Sequence, residues 1–126
     1  MSWLRRLLGK PSGAPQDVAE LLTTRGPLRV DSETTSLDDR ETVQQWVRGL
    51  RPEAGQQVFV HRPWGTLAAV AEGRHPVSVV LSDGKDSWFA TAPGATDLTP
   101  EQVEHVVLDA LTSSERPQWP EWKPLI

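Results

Sequence analysis

Polar and apolar residues alternate along residues 56–93, and this period of two is typical of β-strands that bury one face. In residues 77–82, VSVVLS, apolar side chains recur at every second position. Residues 83–86, DGKD, have the composition of a hairpin turn, because Asp and Gly tolerate a positive φ. The pattern predicts four short strands joined by turns, at residues 56–61, 66–72, 77–82 and 87–92.

Two segments have the periodicity of amphipathic helices instead. Residues 38–50 place four apolar side chains on one helical face, and Ser36 is positioned to cap this helix. Residues 100–112 carry a second stripe, and Thr99, Pro100 and Gln102 form a capping-box start. The two stripes consist of Val43, Trp46, Val47 and Leu50, and of Val103, Val106, Val107, Ala110 and Leu111.

The flanking segments complete the predicted fold. Residues 16–25 have helical spacing and are followed by Gly26-Pro27, which predicts a short helix. Residues 28–31 are a candidate fifth strand at the sheet edge, and residues 32–36 a polar loop. The tail, residues 116–126, is punctuated by proline and predicted to be extended, with two tryptophans pressed against the domain. The fold class is therefore α+β: an antiparallel meander of four or five strands, two main helices on one face, and short N-terminal helices.

Residues 1–10 form a basic amphipathic segment, residues 11–15 a linker, and residues 16–126 a single domain. The segment is too short to be a stable helix in isolation. It can contact an anionic membrane surface or dock onto a partner; alternatively, it folds back onto its own domain. The docking residues would be Trp3, Leu4, Arg5, Arg6, Leu7 and Leu8.

Composition narrows the class of function. The chain has no cysteine, which excludes disulfides and thiolate chemistry. It has neither a long apolar run nor the pattern of a secretory signal, so we expect it in the cytoplasm, with the N-terminal segment as a candidate membrane contact. Residues 1–10 carry a charge of +3, and the remaining ten Lys and Arg against seventeen Asp and Glu leave the rest at −7. An acidic body argues against nucleic acid and is compatible with a basic protein partner or with a solvated acidic surface.

The sequence contains none of the motifs that indicate catalysis or cofactor binding. There is no glycine-rich phosphate loop and no nucleophile elbow. Glu101, His105 and Asp109 share one helix face, yet a zinc site needs at least three ligands in a defined geometry, and a solvated face explains them. We therefore expect no enzymatic activity, cofactor or metal.

Two turns of the meander are the candidate contacts for a protein partner. Pro63 and Gly65 bracket a tight reversal that carries Arg62 and Trp64, and these residue types often dominate interfaces. Alternatively, Trp64 folds back over the sheet edge. The other turn contributes the charged residues Asp83, Lys85 and Asp86.

The C-terminal part, LTPEQVEHVVLDALTSSERPQWPEW (residues 98–122), combines a proline-started helix with Glu115-Arg116-Pro117 and a following tryptophan. In this it resembles a family of bacterial immunity proteins, the α+β antidotes of actinobacterial polymorphic-toxin loci. The resemblance implies a non-catalytic protein that binds and inhibits a cognate toxin. A looser likeness to secretion-chaperone-like domains implies an alternative, a peripheral adaptor that docks through its N-terminal segment.

Overall fold

The computed structural model describes residues 17–51, 55–71 and 77–125 and has an α+β fold. One antiparallel sheet of seven strands carries two helices, in the strand order β2-β1-β3-β4-β5-β6-β7. The helices are α1 (Arg40–Arg48) and α2 (Pro100–Ala110). The strands are β1 (Val18–Gly26), β2 (Arg29–Ser36), β3 (Gln56–Arg62), β4 (Gly65–Val70), β5 (Ser78–Ser82), β6 (Ser87–Thr91) and β7 (Glu121–Pro124).

The four predicted strands of the meander are present as β3 to β6, each paired antiparallel with the next. The predicted total of four or five strands is wrong, because β1, β2 and β7 extend the sheet to seven. At the β3–β4 turn the backbone approaches β5 closely. A Cβ at Gly65, whose φ is +146°, would lie 2.6 Å from the carbonyl oxygen of Ser82. Only glycine fits this contact without a shift of the backbone.

The helix predicted at residues 16–25 is in fact strand β1. Ala19 and Leu21 face the helices, whereas Glu20 and Leu22 face the opposite side, so the buried pattern has the strand period. β1 pairs with β2 on one side and β3 on the other. Hydrogen bonding to two neighbours outweighs a weak helical spacing, which ends in the β-branched pair Thr23-Thr24.

The polar loop predicted at residues 32–36 is also a strand. It continues the predicted edge strand into β2, which pairs with β1 from Arg29 to Ser36. Every residue of β2 is exposed or half-buried. The strand is polar because it lies at the sheet edge and neither of its faces is in the core. Its polar composition is therefore also typical of a loop, and the sequence did not predict a strand.

The tail is extended, as predicted, only at its end, where residues 121–124 form β7 against β6, whereas the chain bends at residues 116 and 118–120. Trp122 packs against the core, and its Nε1 donates to the carbonyl of Pro117 at 2.9 Å. Trp119 does not pack inward to the same degree, since it remains 40% exposed and meets His105 edge-on. Trp122 is thus the residue that holds the tail.

The helices and one sheet face enclose the main hydrophobic core, which we call the helix-side core. α1 and α2 lie over β3 and β4. Each fully buried valine or leucine contributes roughly 1.5–3 kcal/mol relative to an exposed position. The side chains that are most completely buried are Leu67, Leu81, Val43, Val58, Val60, Val79, Val103, Val106 and Val107.

α1 begins two residues later than predicted and is capped by Asp39 rather than Ser36. Asp39 Oδ1 accepts from the backbone N–H of Thr42 at 3.3 Å, and Thr35 Oγ1 donates to Oδ2 at 2.7 Å. Both hydrogen bonds lower the pKa of the Asp39 carboxyl, and the bond from Thr35 has the larger effect. Ser36 Oγ instead accepts from the N–H of Asp38.

At the other end of α1, Arg48 donates to Glu104 on α2, and this bond lowers the pKa of the Glu104 carboxyl. The two helices are therefore joined at the surface as well as through the core. None of the described helices is long and apolar enough to cross a membrane.

The start of α2 matches the prediction, and removing its cap should destabilise the fold. Thr99 Oγ1 accepts from the N–H of Gln102 at 3.2 Å, and Gln102 Oε1 accepts from the N–H of Thr99 at 2.8 Å. We expect Thr99→Ala to lower the free energy of unfolding by about 1 kcal/mol, because one backbone donor loses its acceptor. Urea denaturation measures this, with Thr99→Ser as the control that keeps the hydroxyl. Equal stability of the alanine variant and the wild type would contradict it.

Candidate binding surfaces

Arg62 ties the β3–β4 hairpin to the C-terminal end of α2. Its Nη1 donates to the carbonyls of Ala110 and Leu111 at 2.9 and 3.0 Å, and its Nε donates to Asp17 Oδ1 at 2.9 Å. The side chain is only 14% exposed. The positive charge of Arg62 is favourable at the end of α2, because the last carbonyls of a helix lack intrahelical donors and carry a partial negative charge.

Trp64 makes the second tie between the same two elements. Its Nε1 donates to the carbonyl of Ser113 at 3.1 Å, and its ring packs against the helix-side core. The side chain thus folds back onto the domain, which is the alternative that the sequence left open. Arg62 and Trp64 are both engaged within the chain, and a contact between them and a partner stays a prediction.

The β5–β6 turn is exposed along residues 83–86. Asp83 Oδ1 accepts from the N–H groups of Asp86 and Lys85 at 2.7 and 2.8 Å, and these bonds lower the pKa of Asp83. Asp83 therefore shapes the turn, and Lys85 and Asp86 are displayed on it.

The five predicted contact residues lie at one end of the sheet, because the β3–β4 and β5–β6 turns follow neighbouring strand ends. The close approach of Gly65 to Ser82 joins the two turns directly. Of the five, Arg62 and Trp64 are directed into the domain, whereas Asp83, Lys85 and Asp86 are exposed.

The β1–β2 hairpin is a second exposed surface, at the opposite end of the sheet, and the sequence reasoning missed it. We call this hairpin the β1–β2 arm. Leu28 at its turn is 99% exposed and Val30 52% exposed. Arg25 and Arg29 both donate to Asp31 beside them, and the bond from Arg25 is the main cause of a lowered Asp31 pKa. The sequence feature that could have predicted this hairpin is Gly26-Pro27, because the pair marks a hairpin turn as readily as a helix end.

The sheet face opposite the helices, which we call the open face, carries a polar network. His61 Nε2 lies 3.0 Å from Glu20 Oε1, and His61 Nδ1 lies 3.2 Å from Thr66 Oγ1. The order hydroxyl, imidazole, carboxylate is that of a nucleophile relay. However, His61 is 8% exposed and stacks on Phe59 with 5.9 Å between ring centroids. Both ring nitrogens have partners, so a buried and satisfied histidine accounts for the arrangement.

The described chain offers little for metal or small-molecule binding. No three His, Asp or Glu side chains in residues 17–51, 55–71 and 77–125 converge on a possible metal position. Glu101, His105 and Asp109 are included in that range. A pocket of ≈ 60 Å³ lies beside Ser78, Phe89 and Thr91, and it is several-fold smaller than typical ligand sites.

The segment that carries the family resemblance serves to hold the tail. Arg116 lies over the rings of Trp88 and Trp122, at 5.2 and 5.9 Å from their centroids. Pro117 is buried. The contact residues Trp3, Leu4, Arg5, Arg6, Leu7 and Leu8 lie outside the described residues.

Comparison with known proteins adds no identification. No family model, curated protein or solved structure matches this chain. The fold class, α+β, is what the structure supports.

The tie between Arg62 and α2 can be tested by substitution. We expect Arg62→Ala to lower the free energy of unfolding by about 1–3 kcal/mol, because two carbonyls of the last helical turn lose a buried donor. The control is Arg29→Ala, where the side chain is 76% exposed and the expected loss is below about 0.5 kcal/mol. Urea denaturation measures both. Similar stabilities for the two variants would mean that the tie contributes little.

The Asp83 turn should depend on pH. Because the folded-state pKa lies below the ordinary 3.8, its contribution to stability is complete above the ordinary pKa and is lost as pH falls through the lowered value. Asp83→Asn should therefore be less stable than the wild type at neutral pH, and the difference should shrink in acid. Denaturation over this pH range measures it, with Asp86→Asn as the control. A difference that does not change with pH would refute the role of the charge.

Proposed function

We propose that this protein is a non-catalytic protein-binding module, most specifically an immunity-type inhibitor that binds a cognate toxin. The observation that carries the proposal is the β1–β2 arm. It presents Leu28 and Val30, two large apolar side chains that are more than half exposed. Large apolar side chains grouped at an exposed hairpin turn are a feature of protein-contact surfaces.

The edge of the arm supports the same function. Among the residues that the structure describes, β2 is the outermost strand of the sheet, and its neighbour there is β1. Its outer edge therefore carries backbone donors and acceptors that a partner strand can complete, which is the strand-addition mode of recognition. β2 carries the acidic residues Asp31 and Glu33, which disfavour pairing of this edge with a second acidic strand such as another copy of β2.

The charge of the chain favours a basic partner. Outside residues 1–10 it holds seventeen acidic residues against ten basic ones. At the turn of the arm Arg25 and Arg29 share the single carboxylate of Asp31, so the acidic charge that attracts a basic partner lies on the rest of the body. Opposite net charges accelerate association and select against acidic competitors.

The immunity-type assignment rests on the C-terminal resemblance. Within this pattern, Arg116, Pro117 and Trp122 belong to the contacts that fix the tail to β6. The resemblance therefore concerns residues that determine the fold, and the contact surface has to be inferred from exposure. In an inhibitor without catalytic groups, specificity comes from such surfaces, which need only be complementary to the partner.

Co-expression tests the function. We expect that cells producing a polymorphic toxin from a gene next to this one survive when the full chain is present. The proposal is wrong if they die as readily with this protein as without it.

Variants then test which surface binds. We expect Leu28→Asp with Val30→Thr to weaken toxin binding by about tenfold or more, the scale of losing one apolar contact at an interface. Leu28 is fully exposed, so the fold should be kept. Lys85→Ala with Asp86→Ala is the matched variant at the opposite sheet end and should bind like the wild type. Calorimetric titration measures both affinities. The reverse result would assign the contact to the β5–β6 turn.

A further inference from the structure

The open face of the sheet carries an apolar patch whose central members are almost completely buried, whereas Phe89 at its β6 margin is 38% exposed. The register of the strands places its members on neighbouring positions of β1, β3, β4, β5 and β6. Phe59 and Val70 are each 3% exposed, and Val80 is 7% exposed. We call this the open-face patch; it consists of Leu22, Phe59, Ala68, Val70, Val80 and Phe89.

The described elements do not account for this burial. The buried residues of α1 and α2 belong to the helix-side core, on the opposite face. Phe59, Ala68 and Val70 form a separate cluster, and the one half-buried apolar residue of the described chain that packs against it is Leu22. A phenylalanine on a bare sheet face would keep part of its ring in water. A second layer must therefore cover this face.

We infer that the N-terminal segment, residues 2–10, is that layer and packs on the open-face patch. Four sets of residues lie outside the described chain: 1–16, 52–54, 72–76 and 126. Residues 52–54 and 72–76 read PEA and EGRHP and have no large aliphatic or aromatic side chain. Ile126 follows Leu125, which is bonded to Ser87 at the sheet end. The remaining large apolar side chains are Trp3, Leu4, Leu7 and Leu8 of the N-terminal segment and Met1 next to it.

The point where the chain enters the sheet fits this placement. The N–H of Asp17 donates to the carbonyl of His61 at 2.7 Å, and His61 stacks on Phe59. Asp17 has a φ of +61°, which lies outside the β region, so the regular strand β1 begins after this residue. Residues 11–16 alone reach up to about 20 Å when extended, and a helix over residues 2–10 would be roughly 14 Å long. The patch is therefore well within reach.

The chemistry of the segment also fits. A nine-residue amphipathic helix is not stable alone and needs an apolar surface. Its apolar face matches the patch, and Arg5 and Arg6 lie away from it. The patch is bordered by the carboxylate of Glu20 on β1, which suits a segment with a charge of +3, and on β7 by the ion pair of Glu121 and Lys123. The patch includes Leu22 of β1 but neither Leu28 nor Val30, the exposed apolar pair of the arm, so toxin binding and segment docking fail independently.

Substitution in the full chain tests the docking. Leu4→Glu with Leu7→Glu should reduce the folding equilibrium constant by about tenfold or more, and should raise the fluorescence of a hydrophobic dye. Methyl NMR should show shifts at Val70 and Val80. The control, Arg5→Gln with Arg6→Gln, should change none of these. Unchanged stability and unchanged methyl shifts in the glutamate variant would overturn the docking.

Cross-linking provides a test that does not depend on stability. The chain has no cysteine, so Leu7→Cys with Phe89→Cys introduces a single possible pair. We expect a disulfide within one chain on mild oxidation, and none for Leu7→Cys with Glu104→Cys, whose second position is on the helix side. A bond between two chains would assign the patch to a second copy and overturn the inference. A combination of two other results would also overturn the inference. The wild-type protein would co-sediment with vesicles of equal phosphatidylcholine and phosphatidylserine, and the variant Leu7→Cys with Phe89→Cys would form no disulfide within the chain.

Discussion

The structure depends on the burial of one sheet face beneath two helices. Valines of α1 and α2 meet valines and leucines of β3, β4 and β5 in the helix-side core. Neither helix would persist alone at nine or eleven residues. The remaining ties follow from this contact. Arg62 and Trp64 fix the end of α2, Arg48 joins the helices, and Arg116 with Trp122 closes the far side.

The parts of the fold that could be predicted are those in which local and tertiary preferences agree. Residues 77–82 alternate with a period of two, and Thr99 with Gln102 caps a valine-rich stripe; both were confirmed. β1 and β2 were missed for opposite reasons. β1 has a spacing compatible with a helix and becomes a strand because two neighbours pair with it. β2 lacks a buried face altogether, so no apolar pattern marks it.

The candidate surfaces were predicted less well, because residue type does not reveal direction. Arginine and tryptophan are frequent at interfaces, yet Arg62 and Trp64 use the same hydrogen-bonding groups to complete the end of a helix some 50 residues away in sequence. Exposure is likewise a property of the fold, because the sequence alone does not show that Leu28 lies at an exposed hairpin turn rather than in the core. The Glu20–His61 pair spans 41 residues, and no local pattern encodes it.

The position of β7 has a consequence for synthesis of the chain. It leaves the ribosome after the other six described strands, and it forms one edge of the described sheet. Until it arrives, β6 is an outermost strand whose ladder is unpaired on one side, and Trp88 lacks its neighbour Trp122. Arg116 cannot contact both rings until β7 has paired with β6. The nascent protein therefore passes through a state with an exposed strand edge, and any truncation or C-terminal fusion that hinders the final pairing prolongs it.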